Sequence, residues 1–148
     1  MPANTIVGTY DPKKVIINFG GNILGGFADG TFVEIAPSDA DGFKKKTGAD
    51  GEVVRSMSAD NTHQITVTLL QSSLSNQVLS TLRNQDKVTG KGMQPLTVTD
   101  LNGESMGFWP QAWIRGDPTW SYGKEDTDRQ WIFDTGQQGE DNKGGVMM

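Results

Sequence analysis

A chain of 148 residues has room for one substantial core and not for two, and with no cysteine and a single histidine it excludes disulfides, thiolate chemistry and the usual multi-ligand zinc site. Its formal net charge of −5 disfavours non-specific adhesion to a phosphate backbone. No stretch approaches the roughly 20 apolar residues of a membrane span, and the start MPANTIVGTYDPKK lacks a basic segment followed by an apolar run, so a soluble protein made in a reducing cytoplasm is expected.

Hydrophobic content of 34% with 19 glycines describes short strands, many turns and a thin core, which neighbouring copies can reinforce by binding the folded form. The first apolar run, Val15 to Phe19, passes through Gly20-Gly21 to Ile23 and Leu24, and Gly25-Gly26 precedes Phe27. These glycine pairs predict short strands at about 14–19 and 21–27. Asp29-Gly30 signals a turn, and Thr31 to Ala36 alternates as a strand. A long polar loop is then expected from Pro37 to Gly51, before alternation resumes at Glu52 to Ser58 and again at His63 to Gln71.

In the last of these runs Ile65, Val67 and Leu69 oppose Gln64, Thr66 and Thr68, so one face is buried and a threonine-rich face is solvated. From Leu74 the period becomes helical, with Leu74, Val78, Leu79 and Leu82 as its stripe and Ser72, Ser73 or Ser75 to cap a helix at roughly 74–86. Leu96 to Thr99 and Met106 to Arg115, joined by Asn102-Gly103, predict a hairpin that puts Trp109 and Trp113 on one face and Phe108, Ala112 and Ile114 on the other. A last strand over Asp128 to Asp134 places Trp131 and Phe133 together. The domain is expected to end near residue 136, with a polar, flexible tail over 137–148 outside the core.

Catalytic constellations are missing from this pattern. His63 sits at a strand entrance with no nucleophile motif around it, and an ordinary polar role outweighs a catalytic one. Asp39-Ala40-Asp41-Gly42 has the start of a calcium loop, but Lys44 stands where such a loop needs glycine and Phe43 replaces a ligand. Gly20-Gly21 and Gly25-Gly26 could cradle a phosphate only if a helix followed, and none does; turns or a bulge fit better. Lys44-Lys45-Lys46 could contact nucleic acid, yet Asp39, Asp41 and Asp50 flank it and only Phe43 offers a stacking ring. No enzyme, metal or cofactor is expected. A loop of this length is functional or disordered, and an acidic stretch followed by a basic one suits contact between identical molecules.

The string DGTFVEIAPSDADGFKKKTGADGEVVRS followed by ITVTLLQSSLSNQVLSTL resembles the tail-tube proteins of contractile-tailed bacteriophages in the order of its strand, long loop, second strand, threonine-rich strand and helix. The resemblance extends over about residues 5–136 and reaches the related tube protein of type VI secretion. It implies a mainly β fold, a β-sandwich or tube-forming β-barrel subunit with one flanking helix, whose copies form hexameric rings stacked into the tube that conducts DNA during genome ejection. Tail sheath, tape measure and baseplate proteins would be partners in the virion, and DNA would pass without specific binding.

By the same resemblance Asp39, Asp41, Phe43, Lys44, Lys45 and Lys46 belong to a ring-stacking loop, and strands 31–36, 52–58 and 64–71 contribute to the channel wall. Hydroxyl and carboxylate groups let a phosphate backbone slide, so Glu34, Thr66 and Thr68 are candidates for the channel face, with Val33, Ile35, Ile65, Val67 and Leu69 closing the core. Two other readings stand beside this one: a secretion-system tube component, and a carbohydrate-binding β-sandwich using exposed tryptophans. Trimming Asp39 to Lys46 is expected to leave folded subunits without long stacks, which a sugar-binding module would not require.

Overall fold

The computed structural model describes residues 10–103 and 105–143. A 3₁₀ turn at Pro12–Lys14 leads into β1 (Val15–Phe19) and the short β2 (Asn22–Ile23), followed by β3 (Val33–Pro37), β4 (Phe43–Thr47), β5 (Val53–Met57) and β6 (His63–Leu70). Helix α1 (Ser75–Thr89) precedes β7 (Gln94–Asp100), β8 (Met106–Ile114), β9 (Asp128–Thr135) and β10 (Glu140–Asn142). The main sheet runs β2-β1-β7-β8-β9-β6-β3, with β10 beside the first half of β8, while β4 and β5 pair only with each other. The mainly β class with a single flanking helix is as the sequence predicts.

The sheet is rolled. Gly20 and Gly21, with φ of 60° and 89°, make the tight turn that brings β2 back along β1. The chain beyond β2 first donates Leu24 N–H to the Ile17 carbonyl on β1 at 2.9 Å. It then reaches β6, where Leu70 N–H donates to Gly26 at 2.8 Å and Ala28 N–H to Thr68 at 3.1 Å. One segment thus joins both borders of the sheet. The inner face is continuous as a result: Phe19 of β1 meets Phe133 of β9 edge-on at 5.0 Å between ring centroids, although two strands separate them in the sheet. Around them lie Ile17, Ile65, Val67, Leu69, Leu96, Trp109, Ala112, Ile114 and Trp131, all buried.

Helix α1 contributes Leu79, fully buried, and Leu82 at the margin of this core. The predicted stripe is only half correct, because Leu74 is 81% exposed at the helix entrance and Val78, about 100° around the helix from Leu79, is turned outward. None of the predicted serines is the N-cap, which is Leu74 without a side-chain capping bond; two of them fasten the helix entrance instead. Ser73 Oγ donates to the Gly25 carbonyl at 2.6 Å and Gly25 N–H donates to Ser75 Oγ at 2.8 Å, so the helix entrance clamps the joining segment. Gly26 has φ of 71°, and a Cβ there would stand 2.5 Å from Ser73 Oγ; that position therefore requires glycine.

Two further expectations are corrected. Trp109 is buried while Trp113 faces outward, and Ala112 and Ile114 point inward with Trp109. The register explains this: Leu96 pairs with Trp109 but Gln94 with Ala112, so a bulge at Pro110 and Gln111 shifts the alternation by one residue. Pro110, lacking an N–H, cannot keep the ladder regular there. The polar segment after Gly136 is not simply a tail, because Gly139 N–H donates to the Phe108 carbonyl at 2.9 Å and Glu140–Asn142 pairs with β8. Ladder hydrogen bonds need no apolar side chains, so composition hid this strand. Residues 144–148 of the expected tail lie outside the described residues.

Candidate assembly surface

The long loop expected from Pro37 to Gly51 is largely a β-ribbon. Phe43 pairs with Met57, Lys45 with Arg55 and Thr47 with Val53, and residues 48–52 close the turn through Gly48 N–H to the Glu52 carbonyl at 2.7 Å. Gly51 adopts φ of 91° in this turn, where Asp50 Oδ1 accepts from Glu52 N–H at 3.2 Å. The sequence pattern misses β4 because FKKKT has no buried face and hence no alternation. The Asp50-Gly51 pair between two extended runs is the signal that could have found it.

Every residue of β4 and β5 is exposed. Cross-strand pairing puts Phe43, Lys45, Thr47, Val53, Arg55 and Met57 on one face and Lys44, Lys46, Val54 and Ser56 on the other. On the first face Phe43 is 49%, Val53 59% and Met57 75% exposed, and the Arg55 guanidinium lies 4.1 Å above the Phe43 ring. An isolated two-stranded hairpin is marginal in water, and exposed apolar side chains beside cations are the composition of a contact surface. The strands carry Lys44, Lys45, Lys46 and Arg55 with no carboxylate of their own.

The ribbon has a fixed root. Ser58 Oγ donates to Asp39 Oδ2 at 2.6 Å, Asp41 N–H donates to Asp39 Oδ1 at 3.1 Å, and Ser58 N–H donates to the Gly42 carbonyl at 2.8 Å. These bonds hold the Asp39 carboxyl below its usual range, the Ser58 hydroxyl contributing most. Of the predicted stacking residues, Phe43 to Lys46 are thus gathered on one projecting element, Asp41 lies at its exposed base, and Asp39 is spent on anchoring it. Among the described residues no cluster of three or more histidine or carboxylate side chains could hold a metal ion.

The predicted channel residues share a face. Glu34 pairs directly with Thr66, which in turn pairs with Ile132 on β9, and Thr68 follows two residues on along β6. All three side chains therefore point away from the core. Beside them Arg115 grips Asp134 through two hydrogen bonds of 2.6 and 2.9 Å and reaches Gln64 at 3.0 Å. On the inner face Ile65, Val67 and Leu69 are fully buried as expected, whereas Ile35 is 40% exposed. It belongs to an edge strand with no strand beyond it to cover its side chain.

His63 begins β6 on the inner side, in the wall of a cavity of about 610 Å³ with Val33, Ile35, Val98, Met106 and Trp109. Its Nδ1 accepts from Trp109 Nε1–H at 3.2 Å, which requires that nitrogen to be unprotonated. Burial pushes the imidazole below its ordinary value of 6.5, and Lys143 acts in the same sense against the Asn61 backbone and Asp60. The unfolded chain then binds this proton more tightly than the folded one. Stability is therefore full above about pH 6.5 and is lost as pH falls through the lower folded value. Urea midpoints should drop between pH 7.5 and 5.0, with the drop reduced in His63→Gln; an unchanged drop in that variant would assign the effect to other groups.

Comparison with known proteins extends over most of the chain. A family model described as "Bacteriophage PhiTE tail tube protein" matches residues 26–141. "Structural protein ORF10" of Pseudomonas phage KPP10 is 29% identical over 133 residues, covering 84% of this chain and 76% of the relative. Among solved structures, the anti-feeding prophage cap, described as the tube terminating cap, aligns with a TM-score of 0.60 at 9% identity over 93% of this chain and 97% of the other. The sheath/tube terminator of an extracellular contractile injection system, PVC, in its extended state gives 0.59 at 9% identity, over 90% and 97% respectively. At that identity the two structures establish a shared fold and nothing finer.

Proposed function

This chain belongs to the bacteriophage PhiTE tail tube protein family, which makes it a structural protein of the phage tail and not an enzyme, and from that premise we propose that its copies close into hexameric rings and stack into a hollow tube. The observation that carries the reading is the β4–β5 ribbon, fully exposed, apolar on one face and cationic, which has no partner surface within the described residues of its own subunit. In a stack it gains one. Contact between different surfaces of identical subunits propagates along an axis, which is how rings become a tube.

The tube conducts DNA during genome ejection. Glu34, Thr66 and Thr68 support this role, since they form an outward face of hydroxyl and carboxylate groups that releases no counterions against phosphate and leaves the genome free to slide. The tail sheath outside, the tape measure within and the baseplate at one end are the partners of such a tube. A secretion-system tube would share the geometry; the relationship to the structural protein of phage KPP10 favours the virion. Of the two tryptophans a sugar-binding site would use, Trp109 is in the core and only Trp120 is exposed.

Negative-stain microscopy of the purified protein tests the reading. Hollow tubes of uniform width are expected as concentration rises, and they should shorten in high salt because the exposed lysines act across solvent. A strict monomer at high concentration would contradict assembly. Single rings that never stack would instead indicate a tube-ending role of the kind named for the two similar structures.

A further inference from the structure

The ribbon and one other exposed feature lie at opposite ends of the same strand. The ribbon is rooted at His63, the first residue of β6, through Ser38 N–H to the Thr62 carbonyl and the Asp39–Ser58 contact. At the last residue of β6, Leu70 pairs with Asp128, and Thr127 Oγ1 lies 3.1 Å from Gln71 Oε1. Eight residues of strand separate these ends by roughly 23 Å at about 3.3 Å per residue.

The second feature is the connection between β8 and β9. Asp117 ties its start to α1 through Lys87 at 2.7 Å and Arg83 at 3.7 Å. Its end is held by Thr127 Oγ1, which donates to the Ser121 carbonyl at 2.7 Å and accepts from Arg129, whose guanidinium also lies 5.5 Å from the centre of the Tyr122 ring. So fastened, the connection still presents Trp120 and Tyr122 at 72% and 77% exposure, followed by exposed Glu125, Asp126 and Asp128. Aromatic faces beside carboxylates attract cations by quadrupole and by charge together.

Building on the tail-tube reading, we propose that this acidic aromatic connection is the receptor for the cationic ribbon of the next copy along the tube. Lys45 and Arg55 meet Glu125, Asp126 and Asp128, while Trp120 and Tyr122 cover Phe43, Val53 and Met57 on the same face of the ribbon. The opposed placement decides between this surface and the cavity beside His63. That cavity lies at the ribbon's own end, so a ribbon docking there would favour a mutual, closed pair, whereas a receptor at the far end lets the contact repeat without closure.

Charge reversal in full-length protein tests the pairing. Lys45→Glu and Arg55→Glu together should raise the concentration needed for tube formation on the order of tenfold or more, as should Glu125→Lys, Asp126→Lys and Asp128→Lys together. Combining both sets should restore assembly. Because the chain has no cysteine, Thr47→Cys, on the apolar face of the ribbon, with Ser121→Cys gives an independent measurement. Their anchors lie at opposite ends of β6, roughly 23 Å apart and beyond the roughly 7 Å reach of an internal disulfide, so mild oxidation of assembled tubes should yield a ladder of covalently linked copies. If the ribbon reversal blocks tubes while the connection reversal does not, and no ladder forms, the receptor assignment is overturned and the tail-tube reading stands. If the ribbon reversal leaves tubes unaltered, the stacking role of the ribbon fails with it.

Discussion

Replacing residues 43–57 with a two-residue Asn-Gly turn should give a subunit that folds and melts nearly as the parent does but forms no stacked assemblies. No side chain of the ribbon strands is buried, so their removal leaves the core intact, and loop length changes closure entropy by only about 0.6 kcal/mol per doubling. The cut also falls where the chain can close: Ser58 N–H already bonds to the Gly42 carbonyl at 2.8 Å, and an Asn-Gly pair suits the turn between them. Trimming Asp39 to Lys46, as the loop expectation would suggest, is the wrong cut. It removes the carboxylate that holds Ser58 and leaves β5 without its partner. Circular dichroism and light scattering on the same sample separate the two effects, and undiminished tubes from the shortened chain would refute the ribbon's role.

Phe133→Ala should have the largest effect on the fold itself. Phe133 is fully buried, sits between Ile65 and Ile114 in the ladder and meets Phe19 across the interior at 5.0 Å. Truncating a buried aromatic costs about 3–5 kcal/mol through lost burial and the cavity left behind. Domains of this size are stable by only about 5–15 kcal/mol, so a large part of the folded margin disappears. This contact joins strands that are not neighbours in the sheet, so its loss also loosens the roll. Phe133→Leu keeps most of the volume and should cost clearly less; urea denaturation gives both values, and equal costs would mean that the site collapses around either side chain.

What can be read from residues alone follows a physical line. Strands with one wet and one dry face announce themselves, as with Ile65, Val67 and Leu69 in β6 and Trp131 and Phe133 in β9. Helix α1 is equally plain from its change of period, although it runs on to Thr89, past the predicted end near 86, and closes at Gly90 with φ of 67°. Elements without a buried face are invisible to such a pattern: β4 is lysine-rich and wholly exposed, and β10 is polar. The bulge at Pro110 and Gln111 is hidden for another reason. Alternation within one strand cannot report a register shift that exists only relative to β7.

The candidate surface divides in the same way. Charge order alone points to residues 39–46, and the ribbon sharpens this by separating the anchoring Asp39 from the presented lysines. Grouping Glu34 with Thr66 and Thr68 needs only alternation and a strand pairing, which the register of β3 on β6 supplies. The partner surface at Trp120 and Tyr122 is out of reach of the residue pattern, because its position opposite the ribbon depends on which ends of β6 and β9 lie together.

A cryo-EM reconstruction of tubes assembled from the purified chain tests the central proposal most directly. The account predicts density for Phe43 to Met57 of each subunit crossing into the adjacent ring and resting on residues 116–128 of a copy there. Ribbons lying sideways within their own ring, or standing free in solvent while the rings stack through other surfaces, would contradict it.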